Sequence, residues 1–188
     1  FGLADADQAL ASLGLELPAE TDSVARHEEL LAIRVSPGPA ELWGPAAHAD
    51  TLRSQLAATL AEGDLNAWLL GQIRAGLGQV MAQTRELFIP QMLNLQAVGG
   101  VSFKKGCYTG QEIVARMQYL GKLKRRLYRL SLDGTALPEP GTPLFAPSHT
   151  SAIGEVVIAA RADEGIELLA VLQAEAADSG DVHLGTLE

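Results

Sequence analysis

The sequence predicts an α+β chain in two parts, a mixed helix-and-hairpin part over residues 1–120 and an all-β part over residues 121–188. Helical periodicity is confined to the segments before Gly121. The runs after it are short, β-rich and divided by Gly, Pro and Asp clusters. No helical pattern separates those runs, so four or five strands are expected to pair as a small antiparallel β-barrel or sandwich. At roughly 100–200 residues per domain, 188 residues allow one domain or two small ones. With 47% hydrophobic and 20% charged residues, the composition is that of a globular chain and not a disordered one. No uncharged apolar run approaches the roughly 20 residues that a membrane-spanning helix needs.

Before Gly121, LLAIRVSP and PAELWGP flank the Pro-Gly-Pro of residues 37–39 and read as a hairpin. A helix is expected from about Ala46 to Glu62, with Leu52, Leu56 and Leu60 recurring at every fourth position, Pro45 near its first turn and Gly63 beyond its end. NAWLLGQIRAG, residues 66–76, reads as a second helix, and Trp43 and Trp68 as core residues rather than ligand platforms. The apolar segment 86–103 is broken by Pro90 and Gly99–Gly100, so it is expected to be extended and looped, packed tightly against something else. Its backbone polar groups would then need local partners, and Gln91, Asn94 and Gln96 are placed to supply them. After Gly121, the runs LKRRLYRLSL, TPLFAP, AIGEVVIAA and IELLAVLQ are the expected strands, with Asp163-Glu-Gly165 as a hairpin turn between the last two.

The segment with chemistry in it is FKKGCYTGQEIVARMQ, residues 103–118. Val101-Ser-Phe103 reads as a strand end and Lys104–Thr109 as a loop. A helix is expected to follow, with Thr109 and Glu112 matching a capping box and Ile113, Val114, Met117 and Leu120 on one face. Glu112 and Arg116 stand at the i, i+4 spacing of a helical ion pair. Cys107, the one cysteine, would lie two residues before the cap at the positive end of the helix dipole, just after Lys104 and Lys105. Both features favour a thiolate, so Cys107 is the candidate catalytic residue; the alternative is a small buried hydrophobe. Gly106 and Gly110 allow the backbone to bend and a ligand to approach.

A single cysteine rules out an internal disulfide and a two-cysteine metal knuckle, and it fits a reducing, cytoplasmic location. The first residues, FGLADADQAL, carry acid rather than base, which is not a secretory pattern, and the lack of a starting Met suggests that Phe1 is not the natural beginning. The formal net charge of −9 argues against wholesale nucleic-acid binding. Within residues 101–130, however, Lys104, Lys105, Arg116, Lys122, Lys124, Arg125, Arg126 and Arg129 face Glu112 alone, a local +7 against −16 elsewhere. A cationic stretch on an acidic chain is either an anion site or a solvated strand with charged gatekeepers. The four histidines, His27, His48, His149 and His183, show no metal-ligand spacing. Gly76-Leu-Gly78 lacks the third glycine and the preceding strand of a dinucleotide fingerprint, and neither a phosphate-binding loop nor a nucleophile elbow is present.

KGCYTGQE, residues 105–112, closely resembles the signature of the YgfZ family of folate-binding proteins, relatives of the glycine-cleavage T-protein. The likeness extends upstream through FIPQMLNLQAVGGVSFKKGC and downstream through GKLKRRLY, over roughly residues 86–128. It implies a T-protein-like folate-binding domain over residues 1–120, lacking an N-terminal part that helps to build the folate cavity, followed by the small β-barrel. It also implies tetrahydrofolate, or a derivative, as cofactor. The implied role is maturation or repair of iron–sulfur client proteins, with an indirect effect on tRNA modification. The family's signature cysteine falls on Cys107, and Lys105, Tyr108, Gly110, Gln111 and Glu112 surround it. The implied cofactor-binding residues are Gln91, Asn94, Lys105, Tyr108, Gln111 and Arg116, with folate between the loop 88–96 and the basic stretch, whose charge suits a glutamate tail.

Two departures stand out. Where T-proteins read the pterin with a carboxylate, Ile89-Pro90-Gln91-Met92-Leu93-Asn94 offers only amides, and Gly76-Leu-Gly78 replaces the family's usual Gly-Ile-Pro. Two further readings therefore accompany the folate-dependent accessory protein. One is a non-catalytic module gripping RNA or an acidic partner through the basic stretch and Tyr108. The other is a folate-dependent methyl- or aminomethyltransferase, for which no general base is visible.

Overall fold

The computed structural model describes residues 1–35, 38–178 and 180–185. The chain is α+β and divides into two compact units, Phe1–Trp68 and Leu69–Glu188. The sequence changes character at Gly121, whereas the structural division falls inside a helix at Trp68.

In the first unit, β1 (Gly2–Leu3), β2 (Val24–His27), β3 (Leu30–Arg34) and β4 (Ala40–Trp43) form an antiparallel sheet in the order β1-β4-β3-β2. The β3–β4 hairpin forms as the sequence predicts, with Arg34 opposite Ala40, and Gly38 at φ +95° takes a conformation that side chains disfavour. Pro37, in the predicted turn, lies outside the described residues. Alternation along the strands points Ala32, Ala40 and Leu42 at a core shared with Leu3, Leu10 and Leu15, and helix α1 (Asp7–Ser12) contributes Ala9 and Leu10. Arg34 is 2% exposed and is neutralised in place: its guanidinium donates to the Asp7 carboxylate and to the carbonyls of Pro18, Gly38 and Leu17.

The helix expected over 46–62 is shorter. A 3-10 turn at Ala46–His48 leads into α2 (Ala49–Leu56), and irregular turns follow. Leu52 and Leu56 are buried and Leu60 packs on the core from a turn, so the apolar spacing reported core contacts and not helix length. The expectation that both tryptophans are core residues holds for neither in full. Trp43 is 59% exposed, its indole donating to Glu41, because alternation places it on the sheet face opposite Leu42. Trp68, half-buried on α3 (Leu65–Arg74), lies so close to Gly2 that a Cβ there would stand 2.5 Å from its ring.

The second unit is built on a five-stranded antiparallel sheet, β5 (Arg125–Leu132), β6 (Pro143–Phe145), β7 (Gly154–Arg161), β8 (Ile166–Gln173) and β9 (His183–Leu184), in the order β5-β8-β7-β6-β9. It curls into a half-barrel. The Asp163-Glu-Gly165 turn closes β7 on β8 as predicted, with Gly165 at φ +72°. The short β9 and α5 (Ala174–Ala177) add a strand and a helix to the predicted all-β run.

Both faces of this sheet are covered, which explains the unbroken apolar runs of β7 and β8. One face carries Val156, Ile166, Leu168, Ala170 and Leu172; the other carries Leu169 and Val171 under Ile73, Phe88, Met92, Leu93 and Leu95. A bulge between Val156 and Ile158 turns both Val157 and Ile158 toward this second face. The looped segment 86–103 thus packs against the sheet, as its composition predicts. Gly78 lets it approach: a Cβ there would stand 2.9 Å from the Leu93 carbonyl oxygen. At the sheet margin Arg74 donates to Glu167 at 2.7 Å, and that bond, followed by the charge attraction, holds the carboxyl below the usual carboxylate range.

Candidate functional site

Three segments of the second unit contain the predicted site: the loop around Gln91, the signature loop 103–110 with helix α4 (Gln111–Tyr119), and the basic start of β5. The loop 88–100 satisfies its own backbone through successive tight turns, including Met92 to Ile89, Leu93 and Leu95 to Pro90, and Gly100 to Leu95. The amide side chains are therefore not used on this loop's backbone, contrary to the expectation. Gln91 instead reaches out of it. It is 4% exposed, its Nε2 donates to the Val114 carbonyl on α4 at 2.7 Å, and its Oε1 is buried without a hydrogen-bond partner. A buried carbonyl oxygen left unpaired costs about 1–3 kcal/mol, so this atom is available to an N–H donor. Asn94 lies on the exposed side at φ +59°, its Oδ1 accepting a long bond from Gln96.

The α4 start differs from the predicted capping box. Gly110 is the cap, at φ +84°, and the Thr109 and Glu112 side chains make no capping bonds. The left-handed glycine moves the helix start, and Gln111 takes over the reciprocal role by accepting from the Tyr108 backbone N–H at 3.2 Å. Cys107 therefore precedes the cap by three residues, not two, and it is exposed rather than packed as a small hydrophobe. Beside it, the Lys105 ammonium sits 4.7 Å from the centre of the Tyr108 ring. Glu112 and Arg116 form no ion pair with each other.

The predicted apolar face of α4 is not buried as a face. Only Val114 is buried, Met117 is half-buried, and Ile113 and Leu120 are 62% and 85% exposed. Val101-Ser-Phe103 forms no strand. Phe103 instead packs edge-on against Tyr119, with ring centres 6.0 Å apart, and so ties the start of the signature loop to the end of α4. Sequence reasoning missed this contact; the signal was two aromatic residues bracketing the loop and helix.

The structure brings Gln91 to α4 and joins Tyr108 to Gln111, and it places Lys105 on Tyr108. Asn94 and Arg116 are exposed, with no polar contact to the other predicted site residues. Of the basic stretch, Arg125 is committed internally: it pairs with Glu155 and lies over the Phe88 ring at 5.9 Å. The remaining cations, Lys104, Lys105, Arg116, Lys122, Lys124, Arg126 and Arg129, are exposed. Among the described residues, no three His, Cys, Asp or Glu side chains converge as metal ligands, and no helix is long and apolar enough to cross a membrane.

No family model matches the chain. Curated relatives do. The tRNA-modifying protein YgfZ of Cronobacter sakazakii is 39% identical over 155 residues, covering 79% of this chain and 45% of that protein. The proteins of the same name from Escherichia fergusonii and Shigella dysenteriae are 42% and 41% identical over 139 residues, each covering 72% of this chain and 42% of the relative. The chain thus spans less than half the length of these relatives.

Proposed function

Because this chain belongs to the YgfZ family, we propose that it binds tetrahydrofolate or a derivative through a T-protein-like domain and serves as a cytoplasmic accessory factor for the maturation or repair of iron–sulfur enzymes. Its bearing on tRNA modification, which the relatives' name supports, would run through such client enzymes. The observation that carries the folate reading is Gln91. Its side chain is held by Val114, and its Oε1 remains an unpaired acceptor in a buried position. A pterin edge, which presents N–H donors, suits that acceptor where T-proteins use a carboxylate. Lys105 and Arg116 supply charge for a glutamate tail, while Tyr108 and Gln111 shape the turn between them.

Cys107 would act as the reactive thiolate, exchanging transiently with a client or handling a one-carbon adduct. Its exposure gives a partner access. Alkylation rates measured against pH test that role: an ordinary thiol pKa, about 8.5, would remove the thiolate part.

Calorimetric titration with reduced tetrahydrofolate tests the whole reading. Binding is expected for the chain and for Cys107→Ala alike, and at least about tenfold weaker binding for Gln91→Leu, the loss of one well-made hydrogen bond in a buried site. No binding by the unaltered chain would overturn the assignment of the pocket to these residues.

A further inference from the structure

Phe103 and Tyr119 form an aromatic pair at the surface, 38% and 70% exposed, with Leu120 beside them at 85%. Burial does not account for them. The pair closes the loop-and-helix segment on itself, and lysines flank it in sequence: Lys104 follows Phe103, and Lys122 and Lys124 lie three and five residues beyond Tyr119. All three lysines are exposed, and none makes an ion pair among the described residues. The one acid in residues 101–130 is Glu112, in the first turn of α4, away from Tyr119 in its last.

We propose that this surface binds single-stranded RNA, a base stacking on the Phe103–Tyr119 pair while Lys104, Lys122 and Lys124 contact the flanking phosphates. Exposed aromatic faces among cations are what an unstacked base recognises, and stacking is worth about 1–3 kcal/mol per base. An acidic peptide would use the lysines but leave the rings without a role. The strongly acidic remainder of the chain repels polyanions, which restricts contact to this patch and keeps the number of phosphates small. The inference does not rest on folate binding and uses none of the residues assigned to it.

The test is fluorescence anisotropy with a short labelled oligouridylate, on the chain as it stands. Three lysine contacts predict a log–log salt slope of about −2, at about −0.7 per phosphate on a single strand. Tyr119→Ala should weaken binding about tenfold or more, within the range of one lost stacked base, and Tyr119→Phe should retain it. Lys122→Ala with Lys124→Ala should lower the slope by about 1.4. Photocrosslinking of a 5-bromouridine probe reads the same contact without a variant and should map to Phe103 or Tyr119. No saturable binding at about 50 mM salt, an unchanged affinity for Tyr119→Ala, or equal competition by poly-glutamate would overturn the proposal, the last in favour of an acidic protein partner.

Discussion

The β7–β8 hairpin and the signature segment 101–120 belong to the same unit and differ in almost every physical respect. Six of the eight β8 residues are buried, as are five of the eight in β7. In the signature segment only Val114 is buried. The hairpin is explained from within: each side chain has a face of the sheet to cover. Lysines, a cysteine and paired glycines on an open loop stabilise little, so their chemistry must be explained by what they meet outside the chain. The comparison separates the residues that build the unit from those with which it acts, and substitutions can test the separation.

The largest effects belong to the hairpin. A Cβ at Gly154 would fall on the Val171 carbonyl oxygen and stand 2.9 Å from the Leu172 Cα, so backbone and not only a flexible side-chain tip is in the way. Gly154→Val should therefore destabilise by about 3 kcal/mol or more, the upper end for overpacking, measured by urea denaturation. Leu169→Ala opens a cavity beneath the loop residues Leu93 and Phe88 and should cost about 2–5 kcal/mol. In contrast, Tyr119→Ala should stay within about 0.5 kcal/mol. A large loss at Tyr119 would mean that the signature segment contributes to the core after all.

The sheet was legible because its signals are redundant. Apolar runs, turn residues and strand length agree over β7 and β8, and the Asp-Glu-Gly turn fixes their pairing. Two-residue strands such as β1 and β9 carry no such redundancy, and neither could be read from sequence. Leu52, Leu56 and Leu60 misled because a turn can deliver Leu60 to the same core as a helix would. At the site, KGCYTGQE was recognisable as a string, but its geometry was not. The choice between Thr109 and Gly110 as cap depends on one backbone dihedral, and the apolar spacing of α4 is the same whether its face is buried or bare. The Gln91–Val114 bond joins residues 23 apart, and no local pattern reports it.

Gln91 lies between the two regions, buried like the hairpin yet facing the signature helix. Gln91→Leu removes the donor to the Val114 carbonyl, which costs about 1–3 kcal/mol, but it also removes the unpaired Oε1. The two terms oppose, so a net loss of about 1 kcal/mol is expected, against a tenfold or greater loss of tetrahydrofolate affinity. If stability falls while tetrahydrofolate affinity holds, Gln91 belongs with the hairpin as a packing residue. If affinity falls in protein that remains folded, it belongs with the site.

The smallest effect concerns pH at the rim of the sheet. Arg74 holds the Glu167 carboxyl below its ordinary value, chiefly by donating a hydrogen bond to it. A depressed carboxyl favours the folded state above the pKa of the unfolded chain, and that contribution fades as pH falls through the folded value. Denaturation midpoints should therefore drop from about pH 4.3 downward, and Glu167→Gln should remove part of that drop while changing little near neutrality. The pair sits where water reaches it, so added salt should shrink the difference.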